Sequence, residues 1–598
     1  MIGNIGILLG FISALTAGII YLRQALAIKP TCREGKDYGQ IFYHLHFAGL
    51  MISSLYLLYG LFTHQFQYYY VYAHSSLDLP AKYLLSAFWA GQEGTFLLWA
   101  LFVALSGYLL MKKEKELLQA IMPFIMLGQS FLLLFLILEN PFYHLGTAPA
   151  DGMGLNPLLM DPWMVIHPPI IFIGYALLTI PFAYAAAALW QKRWEKDFIR
   201  VIPWALAGWF FLGAGILIGG AWAYRVLGWG GYWGWDPVEN ASLIPWLTGT
   251  ALVHGLIAQK QKSLFVKSNL FLSILTYALI IFAAFLTRSG VMADYSVHAF
   301  SETTLTYFIA LFFGLFLLIG LLLFAWRFGL IEPQKGDGDL ISRKNTFTLT
   351  MAVLSVSALL VLLGTLSPLL TGMLGAPAGV SESYYLQTNT PLIFLLFLTL
   401  AVCPILSWRN GKFKLSRKLI RTVLFTLPPA LVVGYLLGIN SLIGIILLVV
   451  LYLAFAVNII FFGITLKQGL KLSGGYLAHT GLALLFIGML ASTVYTESEI
   501  VALKKGEPTE ALAYQFIYLG TVIEEENNYL EVEVRGRLKD YIARPNIYMA
   551  AGRMMRSPDI SRSLLYDLYI SPLELPNHHL FQAVLLPLLN RFRYEAQR

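Results

Sequence analysis

The residues whose types and spacing could do chemistry are one aromatic loop and four histidines. The loop reads Trp229-Gly230-Gly231-Tyr232-Trp233-Gly234-Trp235-Asp236, so four large rings alternate with glycines within seven residues. Glycines let a backbone come close to a flat partner, and the rings supply a planar apolar surface. Such a run suits a platform for haem or another macrocycle with polar edges; an interfacial aromatic belt or a structural turn would use the same residue types. Asp236-Pro237 with Glu239 in the same first turn is a helix start, a capping carboxylate followed by a first-turn proline. His167 opens one apolar run and His298 follows another, at the membrane level of the loop, so one imidazole from each could ligate the iron of a haem lying on it. Neutral imidazole is a common axial haem ligand. His254 and His479 lie inside apolar runs. His254 is about 20 Å from the outer end of its run, and both fall in the inner third of a core about 30 Å thick. That is the placement a transmembrane b haem requires, although depth alone does not make two side chains face each other. A histidine in a membrane helix is more often a helix-contact residue, and that reading is kept for His44, His46, His64, His74, His144, His578 and His579, with His74 a candidate helper at the outer site. Arg225 and Arg288 could meet haem propionates, and serve equally well as interfacial anchors.

The elements that must position these residues follow from composition. The chain has 598 residues, 58% hydrophobic and 12% charged. A soluble core cannot hide that much apolar surface, so the bilayer must solvate most of it. Apolar runs long enough to cross a membrane recur about fourteen times, including 88–111, 168–190 and 419–438. The loops between them alternate in charge. One set holds Lys112, Lys113 and Lys115, then Lys192, Arg193 and Lys196, then Arg409 to Lys418; the other has little beyond Lys82, Arg225 and Arg288. The positive-inside rule puts the first set in the cytoplasm and the N-terminus outside. The fold expected is an all-α polytopic membrane protein with a helical bundle over 1–495 that carries the loop at 222–240. A small β-rich extracytoplasmic domain follows over 496–576, from alternation such as Leu530-Glu531-Val532-Glu533-Val534-Arg535. The tail 577–598, about ten apolar residues with Pro587 and then Arg591 and Arg593, is too short to span and is expected at the interface. Met1 to about Arg23 reads as a retained helix, lacking a basic segment before it. Only Cys32 and Cys403 are present, with no CxxC, which excludes a dithiol catalyst and a c-type cytochrome. The net charge of +8 is spread through short loops and is no nucleic-acid signature.

The loop resembles the WWD signature of haem-handling membrane proteins, and its ending Asp236-Pro237-Val238-Glu239-Asn240-Ala241-Ser242 is similar to the CcmF/NrfE-type branch, cytochrome c biogenesis proteins with haem lyase activity. Tyr232 and Gly234 stand where the signature usually carries larger rings. Further motifs support the resemblance: Ala73-His74-Ser75-Ser76 with Asp78-Leu79-Pro80, Trp89-Ala90-Gly91-Gln92-Glu93-Gly94, and His167-Pro168-Pro169. It implies haem in transit ligated by His167 and His298 on the platform Trp229, Gly230, Gly231, Tyr232, Trp233, Trp235 and Asp236. It implies a resident haem b ligated by His254 and His479, and thioether attachment of haem to the CxxCH thiols of an apocytochrome c. No catalytic nucleophile would come from this chain. The implied partners are a CcmE-type haem chaperone, the apocytochrome c, CcmH- and CcmI-type presenting proteins, quinol as electron donor, and the lipid of the bacterial inner membrane. A haem transporter, or a quinol-oxidising b-haem scaffold without lyase activity, would share many of these features.

Overall fold

The computed structural model describes residues 1–27, 37–227, 231–296, 304–332, 342–406, 417–436, 438–439, 441–524, 527–536, 540–550, 553–563, 566–573 and 580–587. Among the described residues sixteen α-helices precede ten strands. The helices are α1 Ile2–Leu26, α2 Tyr38–Phe62, α3 Tyr69–His74, α4 Ala81–Ala87, α5 Gln92–Lys113, α6 Leu118–Leu138, α7 Pro162–Gln191 and α8 Ile202–Val226. They continue as α9 Pro237–Lys262, α10 Val266–Arg288, α11 Thr306–Arg327, α12 Arg343–Gly372, α13 Glu382–Val402, α14 Arg417–Leu436, α15 Leu442–Leu466 and α16 Leu470–Tyr495. Among the described residues 13 helices are long and apolar enough to cross a bilayer. Of the other three, α3 and α4 are short. α14 covers the span expected at 419–438, with Leu424–Leu436 as the apolar stretch among the described residues.

The chain divides into two compact units. The first comprises Met1–Gly220, Trp233–Gly336 and Leu354–Thr388. Its buried centre is α7: 89% of its apolar stretch is covered by protein, against 22% for α11, whose exposed Leu311, Leu318 and Leu322 are left for lipid. The expected spans at 88–111 and 168–190 shift at their ends. α5 starts at Gln92 because Ala81–Ala87 forms a separate short helix. α7 starts at Pro162 because Asp161 caps it, its side chain accepting from the Trp163 amide at 2.8 Å, with proline at the first turn. His167 therefore lies inside the helix rather than at its mouth.

The second unit comprises Ala221–Tyr232, Asp337–Val353 and Asn389–Arg598 and includes the β-domain. Its strands are β1 Glu497–Ala502, β2 Pro508–Ala511, β3 Tyr514–Glu524, β4 Asn527–Arg535, β5 Tyr541–Ala543, β6 Asn546–Ala550, β7 Arg553–Ser557, β8 Asp559–Arg562, β9 Tyr566–Leu573 and β10 Leu580–Pro587. They form two antiparallel sheets, β1-β10-β9-β8 and β2-β3-β4-β6-β7, with β5 on β4. The alternation read in β4 is real: Leu530, Val532 and Val534 are buried with Phe516, Tyr518, Leu568 and Ile570, while Arg535 pairs with Glu533 at 2.9 Å on the other face. The tail is not the interfacial segment expected. Leu580–Pro587 is a strand with β1 and β9 on its two sides, because two free edges satisfy its backbone. The domain thus runs on past 576.

Candidate functional site

In the first unit the loop enters α9 through a closed set of hydrogen bonds. Asp236 Oδ1 accepts from the Val238 amide at 2.8 Å and from the Ser296 hydroxyl at 2.7 Å. Glu239 Oε2 accepts from the amides of Gly234 at 2.9 Å and Asp236 at 3.3 Å, completing a capping box. Both carboxylates therefore hold backbone. Trp235 has a left-handed backbone, φ 54°, a conformation costly for a large side chain. Its carbonyl accepts from the Asn240 amide group at 3.0 Å, and its ring stacks on Tyr385 of α13, centroids 4.5 Å apart and 4° from parallel. One face of Trp235 is thus spent on protein. Trp233 meets Trp235 edge-on at 6.2 Å, and its buried indole nitrogen has no hydrogen-bond partner among the described residues. Of the remaining platform, Gly231 and Tyr232 belong to the second unit, and Tyr232 is 41% exposed. Trp229, Gly230 and His298 lie outside the described residues, as does Cys32.

His167 is set by α8. Its Nδ1 lies 2.8 Å from the Gly215 carbonyl, which can only accept, so Nδ1 carries the proton and Nε2 the lone pair. One turn on, a methyl group on Gly219 would come within 2.6 Å of His167 Cε1, so only glycine lets α8 lie against the ring. His254 is set by its own helix, Nδ1 lying 2.8 Å from the Thr250 carbonyl, which again leaves the lone pair on Nε2. Sequence reasoning missed what surrounds it. Trp246, Thr250 and His254 recur every fourth residue on one face of α9; Trp209 stacks on Trp246 at 5.8 Å and donates its indole N–H to the Thr250 hydroxyl at 2.7 Å. The Trp246-Thr250-His254 spacing was the available signal. In the second unit His479 is half-buried on α16, about 13 Å along the helix from Leu470.

Several other residues find their places. Arg288, at the end of α10, is 6% exposed, its guanidinium 5.4 Å from the Phe96 ring and 5.7 Å from Phe172. It is buried among rings rather than anchored at the interface. Arg225 is half-buried near the end of α8, where β9 ties the helix down: Tyr224 donates to Asp567 at 2.9 Å and Tyr569 to the Leu227 carbonyl at 2.7 Å, just before the loop. The run 89–94 is explained by packing. Tyr70 donates to the carbonyls of Ala87 and Phe88 and accepts from the Gly91 amide, and its ring and those backbone atoms fill the space a side chain at Gly94 would need. His74 stacks on Tyr70 at 4.4 Å and bonds its carbonyl at 2.9 Å; burial lowers its pKa. His46, wholly buried, bonds the Gly10 carbonyl at 2.9 Å, the helix-contact role expected of it.

A family model described as cytochrome C assembly protein matches residues 89–292, from the Trp89 run through His167, the loop and His254. The cytochrome c-type biogenesis protein CcmF of Pseudomonas fluorescens is 34% identical over 551 residues, 88% of this chain and 83% of that protein. The chain belongs to the CcmF family of cytochrome c-type biogenesis proteins. The Escherichia coli (strain K12) CcmF is likewise 34% identical, over 89% of this chain and 85% of its own. A solved structure, "Cytochrome c Heme Lyase CcmF", superposes with a TM-score of 0.78 over 98% of this chain and 94% of that one at 24% identity, so the fold is the CcmF fold. The membership makes this a multi-pass membrane protein of cytochrome c biogenesis. It also gives the arrangement around His167 and the loop junction a family context: both lie in the part of a CcmF chain that the assembly-protein model describes.

Proposed function

We propose that this chain is a cytochrome c haem lyase of the bacterial inner membrane, working on the outer face. Haem, the substrate in transit, docks at the Trp-rich loop with His167 and His298 as axial ligands. The observation that carries the reading is His167, whose Nδ1–H is pinned to the Gly215 carbonyl so that Nε2 is the nitrogen with a lone pair to give. The loop junction contributes rigidity, because Asp236 and Glu239 hold the backbone that presents Trp233. Attachment is addition: each thiol S–H of the apocytochrome CxxCH adds across a porphyrin vinyl C=C, forming a C–S and a C–H bond with no net change in electron count. The chain's contribution is positioning. A CcmE-type chaperone delivers the haem, and CcmH- and CcmI-type proteins present the apocytochrome.

The reading also includes a resident haem b, for which His254 and His479 are the proposed ligands. His254 offers Nε2, oriented by Thr250, in the lipid-crossing part of α9, and His479 would be the second ligand, from α16. When bound, that haem supplies electrons from quinol to keep the outer iron ferrous. The test of the lyase reading is haem staining of a reporter cytochrome c co-expressed with its maturation partners. His167→Ala and His298→Ala should each abolish covalent haem while the chain remains in the membrane. Normal holocytochrome in both variants would overturn it.

A further inference from the structure

In the first unit α5, α7 and α8 enclose a cavity of about 540 Å³ that runs along α7 from Ile173 to Tyr184, its charged end at the end of the helix opposite His167. Its walls are apolar, Phe102, Leu105 and Leu109 from α5, Ile173 and Leu177 from α7, and Phe211 from α8. Leu105 and Leu109 are 43% and 41% exposed, so one flank is open where the helices meet lipid. The other end is charged. Glu114, 3% exposed, accepts from the Tyr184 hydroxyl at 2.7 Å and pairs with Arg200 at 3.2 Å; Arg200 also reaches Glu116 at 3.0 Å and Asp197 at 3.2 Å. Burial pushes the Glu114 carboxyl up, but Tyr184, the Leu117 and Glu116 amides and Arg200 outweigh it and hold it below the usual carboxylate range. These carboxylates are occupied. Lys113, which also lines the cavity, sits instead 5.6 Å from the Trp204 ring. The two loops at this end carry Lys112, Lys113, Lys115, Lys192, Arg193, Lys196 and Arg200 against Glu114, Glu116, Glu195 and Asp197, an excess of positive charge.

We propose that this cavity is a binding site for one anionic phospholipid, its phosphate at Lys113 and the rim of Arg200, its acyl chain along α5 towards Phe102. The length fits: from Lys113 to Phe102 the groove runs about 16 Å, close to half of a hydrocarbon core about 30 Å thick, one leaflet deep. The position fits as well, because basic pockets between membrane helices on the positive-inside face recognise anionic headgroups. A neutral lipid or a quinone head would leave Lys113 without a counter-charge. The headgroup end is separate from the haem chemistry: His167 and Tyr184 stand about 26 Å apart along α7, while the apolar end of the cavity at Ile173 lies about 9 Å along the helix from His167.

The experiment is native mass spectrometry of the purified full-length chain in detergent, with phosphatidylglycerol or phosphatidylcholine added. Wild type should retain phosphatidylglycerol about fivefold over phosphatidylcholine, the preference one basic residue near an anionic headgroup confers. Lys113→Gln should bring that ratio close to one, whereas Lys112→Gln on the neighbouring surface should leave it unchanged. Leu105→Trp, which fills the open flank without touching the charged network, should reduce both adducts and decides the matter if Lys113→Gln is not monodisperse. Equal retention of the two lipids by wild type, equal effects of the two lysine variants, undiminished adducts in Leu105→Trp, or a co-purified quinone that phosphatidylglycerol does not displace would each overturn the proposal.

Discussion

At His167 the carbonyl that takes the Nδ1 proton belongs to Gly215 on a neighbouring helix; at His254 it belongs to Thr250, one turn back on the same helix. The same imidazole geometry is thus reached by tertiary packing in one place and by helix periodicity in the other. His254 needs only α9 to be helical. His167 needs α8 to lie against α7, which Gly219 permits. The difference teaches that the orientation of His167 can be damaged from a distance while that of His254 is nearly immune, and substitutions away from the histidines should divide accordingly.

The largest effect is expected from Gly219→Leu. The new side chain must displace the His167 ring, and a misplacement of about 1 Å at a positioned group costs about a hundredfold in rate. Holocytochrome formation should fall by about that factor while membrane-bound b haem is unchanged. Asp236→Ala comes next. It removes the α9 cap and the acceptor of the Ser296 hydroxyl, so stability should drop by about 1–2 kcal/mol and haem attachment several-fold, again with His254 undisturbed. Thr250→Val is milder. It deletes the hydroxyl that receives the Trp209 indole N–H but keeps the carbonyl that orients His254, so thermal melts should register roughly 1 kcal/mol and the b-haem spectrum should not move. A loss of b haem in this variant would mean that the aromatic wall, not the backbone, holds the site.

The smallest effect is pH-dependent and concerns His74. Burial lowers its folded pKa below the ordinary histidine value of about 6.5, so the unfolded chain takes up the proton first. Stability from this group is complete above pH 6.5 and is lost as pH falls from there through the folded value. Melting temperatures between pH 7.5 and 5.5 should decline less in His74→Gln than in wild type; parallel declines would show that the stack on Tyr70 does not keep the imidazole neutral.

Much of this was legible in the residues because the bilayer is a severe filter: 13 of the expected crossings stand as long helices, and the β4 alternation turned into a buried Leu530-Val532-Val534 face. Three features were not. Nothing near Trp235 announces that Tyr385, far along the chain, covers one face of its ring. The apolar run 580–587 is too short for periodicity to separate helix from strand, and its pairing with β1 depends on partners distant in sequence. Hydropathy opens the α7 run at 168, whereas Asp161-Pro162 carries the stronger cap signal and sets the start of the helix.

The central claim is that the four histidines serve two separate haem positions. It is tested most directly by a pyridine haemochrome assay with reduced-minus-oxidised spectra of the purified chain, in wild type, His254→Ala, His479→Ala and His167→Ala. The account predicts a non-covalent b haem in wild type and in His167→Ala that disappears in both His254→Ala and His479→Ala. Absence of b haem from wild type grown with ample haem, or its retention in either inner-histidine variant, would contradict it.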